Sequence, residues 1–375
     1  MSLFHGLSSF SHSGLAFIVV LTVVVFAHEL GHFLVARWCG VKVLSFSIGF
    51  GRELAGFTDK TGTRWKFCLI PLGGYVRMLG DADAAGARSS LAGIADPDRA
   101  RAFPNQTVWA RMAIVAAGPL FNMIFAILVF AGIFMTVGQP LTAPVVGRVL
   151  PGSAAEAAGI ATGDRFVTID GTAIRRFEQV RQMTLLALDR PLSVVVERRG
   201  ERLSLEVRPR VVERTNRFGE RTRIPLMGVV ASGETVLVRH SLPSSLWAGT
   251  EATAGIVSDT FVSIRQMILG LRGADELGGP IRIAEASAEA VQAGVVSLLA
   301  MMAFLSINLG LINILPIPLL DGGHLLFYAC EALRGKPLPE RVREVGLKIG
   351  VALVGALVVF STWNDIVHVF RRWMS

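Results

Sequence analysis

Charge is scarce in this chain. Of its 375 residues, 18% are Asp, Glu, Lys or Arg, against 52% hydrophobic. That is too little charge to clothe a water-soluble body of this size, and an ordinary soluble globular protein is excluded. Cysteine is scarce too. Cys39, Cys68 and Cys330 make no CxxC pair, so neither a disulfide framework nor a thiolate metal site is expected. The first apolar run has no basic segment before it and no small-residue cleavage site, so a secretory leader is not expected. The formal net charge is +8, yet the basic residues are scattered without aromatic interleaving or a reader motif. Nucleic acid is therefore not an expected partner, and the lipid bilayer is what these cations face.

What is abundant is long apolar sequence. A helix rises 1.5 Å per residue and a hydrocarbon core is ~30 Å thick. Residues 15–27, extended through a polar motif to Trp38, residues 112–137 and residues 295–320 are each long enough to cross it. A fourth run, 349–363, is shorter and flanked by Lys348 and Asp365, so it spans with the help of tilt and snorkelling side chains. The expected fold class is a polytopic α-helical membrane protein with four transmembrane helices. No Lys or Arg precedes Arg37, whereas Arg37, Lys42, Arg52, Lys60, Arg64, Lys66 and Arg77 follow the first span. The positive-inside rule then places both termini outside, and the basic cluster from Arg334 to Lys348 in the cytoplasm.

Between the spans the periodicity changes. Residues 41–80 read as strands, with turn signals at 49–51, 59–62 and 73–74. A hairpin beside the membrane must be buried in protein or line a cavity, because open strand edges cannot face lipid. Residues 81–98 read as a mobile loop, and Trp109 is an interface anchor at the start of the second span. From 139 to about 223 the chain reads as an α+β domain, with strands at 145–149, 166–169, 192–197 and 203–207 and helices at 154–158 and 177–187. Its Pro151-Gly-Ser-Ala-Ala-Glu-Ala-Ala-Gly-Ile and Thr162-Gly-Asp-Arg-Phe-Val-Thr-Ile-Asp-Gly stretches resemble one copy of the protease-associated bacterial PDZ domain. Apolar residues at Trp247, Ala254, Phe261, Ile264, Ile268 and Leu271 predict an amphipathic helix, lying on the membrane surface or serving as a core helix of the soluble domain. The expected organisation is a first membrane half (1–138), a PDZ-like domain (139–230), an amphipathic connection (231–290) and a second membrane half (291–375).

The chemistry is concentrated in His28-Glu29-Leu30-Gly31-His32. Four residues apart on a helix, the two imidazoles are offset by only ~40° and can share one metal ion, with Glu29 beside them. The run from Leu15 to Ala27, interrupted only by Thr22, leads straight into these ionisable groups. Groups of that kind at such depth are functional candidates by default. Catalytic zinc takes three protein ligands and a water, so a third ligand is required. Glu53 lies 21 residues beyond His32 but among glycines. Asp321 closes the third apolar run behind Pro316 and Pro318, which free the backbone where a cavity would need it.

Together with Pro71-Leu-Gly-Gly-Tyr-Val76, the PDZ-like stretch and Asn313-x-x-Pro316-x-Pro318-x-x-Asp321-Gly322, the HELGH motif makes nearly the whole chain resemble the bacterial regulator-of-sigma-E proteases. These are intramembrane zinc metalloproteases of the site-2 family. The resemblance implies Zn2+ held by His28, His32 and Asp321, with Glu29 as the catalytic glutamate, and His324 as an alternative ligand or a hydrogen-bonding neighbour. It places Asn308, Asn313, Pro316 and Pro318 around the third ligand. Glu29 would take a proton from water and return it to the leaving amine. Asn313, with Asn308, would donate hydrogen bonds to the substrate or the developing oxyanion. An unwound substrate would add as a strand to the 64–76 hairpin at Gly73, Gly74 and Tyr75. Ser47-Ile-Gly-Phe-Gly51 is similar to the family's glycine-rich loop, with Arg52 standing where the pattern has proline. The implied partner is a single-span anti-sigma-factor-like protein, cut in regulated intramembrane proteolysis by a monomer. The implied location is the bacterial inner membrane, with the PDZ-like domain as a periplasmic gate. A zinc transporter would leave Glu29 and the PDZ-like insert unexplained, and a membrane-anchored PDZ adaptor would leave the metal motif without a purpose.

Overall fold

The computed structural model describes residues 2–80, 96–187, 190–215, 221–270 and 278–374. In chain order they form α1 (Ser2–Trp38), β1 (Val43–Thr58), β2 (Arg64–Met78), α2 (Asp96–Arg99) and α3 (Val108–Thr136). There follow β3 (Gln139–Thr142), β4 (Val146–Val149), α4 (Ala154–Ala157), β5 (Arg165–Ile169), β6 (Thr172–Ala173), α5 (Phe177–Ala187), β7 (Leu192–Arg198) and β8 (Glu201–Val207). The last strands are β9 (Arg210–Thr215), β10 (Arg221–Leu226), β11 (Val229–Ala231) and β12 (Thr235–Val238). The chain closes with α6 (Leu242–Ile268), α7 (Pro280–Gln292), α8 (Val295–Ile314), α9 (Asp321–Arg334) and α10 (Glu340–Met374). Of the loop expected over 81–98, residues 81–95 lie outside the described part, and Asp96–Arg99 are helical. The chain divides into a unit of Met1–Gly132 with Leu246–Ser375 and a unit of Ile133–Ser245.

In the first unit, Gly14–Trp38, Val108–Thr136, Val295–Ile314 and Glu340–Val367 are helical, apolar and long enough to cross a bilayer. Two boundaries differ from the sequence expectation, each for a backbone reason. The third helix stops at Ile314 rather than running to Leu320. Pro316 forces Leu315 out of the helical region, to ψ 142°, and the two prolines remove the N–H groups that would continue the ladder. The fourth helix is longer than 349–363, and Asp365 is not an interfacial flank. Asp365 is fully buried and accepts main-chain N–H groups from Gly279 (2.9 Å), Ile281 (2.8 Å) and Arg282 (3.2 Å), which caps the start of α7.

The expected amphipathic helix is α6, and it packs against other helices of the first unit. Gly249 sits so close to α3 that a Cβ there would stand 2.7 Å from the Ile127 carbonyl. Further along, Thr260 Oγ1 donates to Asn308 Oδ1 of α8 at 3.5 Å. Trp247, Phe261, Ile264 and Ile268 point their apolar surface outward. Between the helices, Val20 and Val24 of α1 pack with Met302 of α8.

The hairpin is more elaborate than two paired strands. Ser45–Ile48 pair on one side with 64–67 and on the other with 74–77, because β1 bends beyond Ile48 and β2 beyond Ile70. The result is a four-stranded mixed sheet ordered 53–58, 64–70, 43–50, 74–78, in which 43–50 and 64–70 run parallel, the other neighbours run antiparallel, and 74–78 lies on an outer edge. Gly49 makes the bend possible. Its φ is +86°, and a side chain would meet the Ile70 carbonyl at 2.7 Å. The inner face is anchored on Phe46, which is fully buried, stacks on Trp65 and meets Phe26 and Phe33 of α1 edge to face.

The second unit centres on an antiparallel sheet ordered β6-β5-β7-β8. The strands and helices expected between 145 and 207 are present within a few residues of their expected limits. In β7, Leu192, Val194 and Val196 are fully buried while Ser193 is exposed, the period-2 alternation of a sheet with one packed face. Sequence reading did not provide the pairs β3–β12, β4–β11 and β9–β10. Thr142 pairs with Thr235 across a stretch of chain that contains the whole central sheet.

Within this unit Asp164 is fully buried, and Arg198 grips it with Nε and one Nη at 2.7 Å each while the Ala161 N–H donates at 2.8 Å. Burial works to raise the carboxyl's pKa, but the Arg198 fork and the Ala161 N–H outweigh it and hold the group below its ordinary value. A carboxyl whose native pKa is depressed contributes its full stability above the unfolded value, near ~4. That contribution is lost as the pH falls from there through the lower native value. Amide exchange in β5 and β7 is therefore expected to quicken on acidification below about pH 4, and Asp164→Asn should remove this part of the pH dependence. Identical pH profiles in the two proteins would contradict it.

Candidate metal centre

Three elements meet around one point. His28 and His32 project from α1, Asp321 is the first residue of α9, and α3 lies behind the imidazoles. His28 Nε2 and His32 Nε2 are 3.2 Å apart. Asp321 Oδ2 stands 3.1 Å from His28 Nε2 and 3.5 Å from His32 Nε2. The rings are edge to face, with centroids 4.8 Å apart at 86°.

His32 Nδ1 lies 2.8 Å from the Ile114 carbonyl of α3. A carbonyl only accepts, so Nδ1 carries the proton and Nε2 presents its lone pair to the centre. Asp321 Oδ2 is buried without a hydrogen-bond donor. Electron-rich atoms converging at this spacing repel one another unless a cation lies among them, and two imidazole nitrogens with one carboxylate oxygen form a donor set that suits zinc. The place of Asp321 at the start of α9 sets the positive end of the helix dipole beside its carboxylate.

Asp321 is carried by a tightly built corner. Side chains at Gly322 or Gly323 would run into the main chain of Ile314, Leu315 and Ile317. Leu319 has φ +152°, a strained conformation for a side chain branched at Cγ. At the far end of α9, Arg111 of α3 holds Glu331 through two bonds of 2.6 Å and 3.3 Å, and its guanidinium lies 4.8 Å over the Tyr328 ring. Glu331→Gln would leave the half-buried guanidinium with a weaker partner. A loss of roughly 2 kcal/mol against denaturant unfolding in detergent is expected, and an unchanged midpoint would show that α9 is held by other contacts.

Of the other residues expected at the site, Asn313 arrives, with its amide Nδ2 3.3 Å from His28 Nε2. Asn308 does not. Its amide donates to the Phe304 carbonyl of its own helix at 2.9 Å and its oxygen faces Thr260, because Asn308 and Asn313 are five residues apart and lie on different faces of α8. Gly74 lies against Glu29, and a Cβ there would stand 3.1 Å from Glu29 Cγ. Its neighbour Tyr75 stacks on Phe50, and Gly73 has φ +124°. Pro316 and Pro318 form the linker to α9. Glu53 is no ligand, since it pairs with Arg64 across the hairpin. His324 stays outside the convergent set and meets Phe327 edge to face.

Sequence reading missed two residues of α3. A methyl group at Gly118 would run into His32 Nε2 and come within 2.6 Å of His32 Cε1 and 2.7 Å of His28 Cε1. Asn122 is fully buried with Nδ2 3.1 Å from His28 Nδ1. A polar amide inside the apolar 112–137 run was the available signal for the second.

Known proteins resemble the chain over nearly its whole length. Residues 16–357 match the model of peptidase family M50. The Agrobacterium fabrum protein Atu1380, named a candidate zinc metalloprotease, is 44% identical over 355 residues, covering 93% of this chain and 94% of its own. R01501 of Rhizobium meliloti, named in the same way, is 42% identical over 359 residues, covering 94% and 96%. Metalloprotease MmpA of Caulobacter vibrioides is 37% identical over 372 residues, covering 92% and 93%.

Proposed function

The chain belongs to peptidase family M50, the zinc-dependent site-2 protease family, and from that premise we propose that it hydrolyses peptide bonds inside the transmembrane segments of single-span membrane proteins. It is a membrane zinc metalloprotease, and the finer assignments are ours. His28, His32 and Asp321 hold the zinc. Zinc bound there supplies a Lewis acid that acidifies water and polarises a carbonyl. Glu29 takes the proton from the attacking water and delivers it to the leaving amine nitrogen. The Asn313 amide donates to the substrate carbonyl oxygen, a contribution of ~3 kcal/mol in comparable sites.

The observation that carries this reading is the meeting of three lone-pair atoms from two distant helices, within 3.5 Å of one another, at the helix that bears Glu29. The substrate side is supported by the 74–78 edge of the sheet. Gly74 brings that edge against Glu29, so an unwound substrate segment added as a strand would present its carbonyls to the base. The second unit is proposed as a PDZ-like gate on the periplasmic side of the bacterial inner membrane, admitting single-span proteins of the anti-sigma-factor kind.

The test is to reconstitute the purified protein in vesicles with a single-span peptide and locate the cut by mass spectrometry. Cleavage within the apolar segment, lost on chelation and in the Asp321→Asn chain along with its zinc, is the expected result. Cleavage confined to the soluble flanks would sink the intramembrane assignment, and zinc retained at full affinity by the Asp321→Asn chain would sink the ligand set.

A further inference from the structure

We infer that Asn122 is a positioning residue for His28, its side-chain carbonyl accepting a hydrogen bond from His28 Nδ1–H and holding Nε2 toward the metal. The inference rests on the reading of His28 as a zinc ligand. Asn122 is the fully buried amide whose Nδ2 lies 3.1 Å from His28 Nδ1 and whose Oδ1 meets no donor. The two ends of an amide have the same shape, so the chemistry of the neighbours decides which atom faces the ring.

A histidine that gives its Nε2 lone pair to a metal keeps its proton on Nδ1 and needs an acceptor there. Turning the amide over supplies that acceptor and takes Oδ1 out of its unpartnered position. Nothing around it lets Asn122 drift. Ser306 Oγ donates to the Asn122 main-chain carbonyl at 3.0 Å, and a Cβ on Gly310 of α8 would stand 3.2 Å from Asn122 Cβ. The same helix therefore orients both imidazoles. Ile114 serves His32 with a main-chain carbonyl, which no substitution removes, and Asn122 serves His28 with a side chain, which a substitution can remove.

The experiment uses the full chain in detergent and reads zinc affinity by chelator competition, together with the visible absorption of the cobalt(II)-substituted protein. Asn122→Leu, close in volume but without an acceptor, is expected to lower zinc affinity about 10–100-fold and to alter the cobalt bands, with the helical content of the metal-free protein unchanged. Asn122→Asp keeps an oxygen facing Nδ1 and is expected to restore most of the affinity. Should the N122L chain not fold, N122A, which leaves a cavity instead of a changed shape, carries the same comparison. Wild-type affinity and cobalt bands in N122L, or N122D as weak as N122L, would overturn the inference. His28→Ala separates the two levels. Zinc bound as tightly without His28 would remove the ligand assignment itself, whereas loss in H28A with none in N122L would remove only the role of Asn122.

Discussion

Glu29→Gln is expected to lower peptide hydrolysis by about 10²–10⁴-fold while leaving zinc bound. Glutamine keeps the size and hydrogen-bonding reach of the side chain but neither accepts a proton from water nor returns one to nitrogen. Glu29 is not among the three convergent ligand atoms, so the metal affinity has no reason to change. What changes is the group lying between the histidine pair and the Gly74 edge of the sheet. The measurement pairs single-turnover cleavage of a single-span substrate with zinc content per chain. Cleavage within a few-fold of wild type would take the proton-transfer role away from Glu29, and a parallel loss of zinc would make it a ligand instead of a base.

The second large effect is expected from a single methyl group. Gly118→Ala places a carbon in the space held by the two imidazoles, within 2.7 Å of atoms of both rings. The helix cannot retreat, because it is already in close approach on two sides. A Cβ on Gly31 of α1 would meet Phe121 Cβ at 2.8 Å, and one on Gly310 of α8 would meet the Pro119 carbonyl at 3.0 Å. Elsewhere in a helix the same substitution is favourable by roughly 0.5–1 kcal/mol. Gly132, also on α3 and with nothing within 4 Å of its added carbon, is the matched control. Zinc binding and cleavage should both disappear in Gly118→Ala and both survive in Gly132→Ala. Survival of both in Gly118→Ala would mean that the imidazoles occupy other positions.

These two residues mark where sequence reading stops. His28, Glu29 and His32 were legible because a helix brings i and i+4 together without help from the rest of the fold. From the residues alone Asp321 was legible only as a carboxylate at the end of an apolar run, in competition with Glu53, and it was the resemblance that singled it out. The choice depends on tertiary approach, which puts one beside the imidazoles and the other against Arg64. Gly118 and Asn122 act across a helix crossing, and no local period announces which residue of α3 will face α1. Asn308 and Asn313 look alike in sequence, yet a separation of five residues sends only one to the centre. The turn signals of the hairpin were readable, but not its folding back into four strands, because one stretch, 45–48, serves two partners at once.

Asp365 gives the last helix a duty that its composition hides. Three peptide N–H groups at the head of α7 end on that one carboxylate, and α7 packs along the helix that carries the histidines. Shortening the chain ahead of Trp363 would thus bare the head of α7 and loosen the scaffold of the reactive helix from behind, although every zinc-binding side chain would still be present. The final stretch is a keystone rather than a tether, and an affinity tag belongs after it, never in its place.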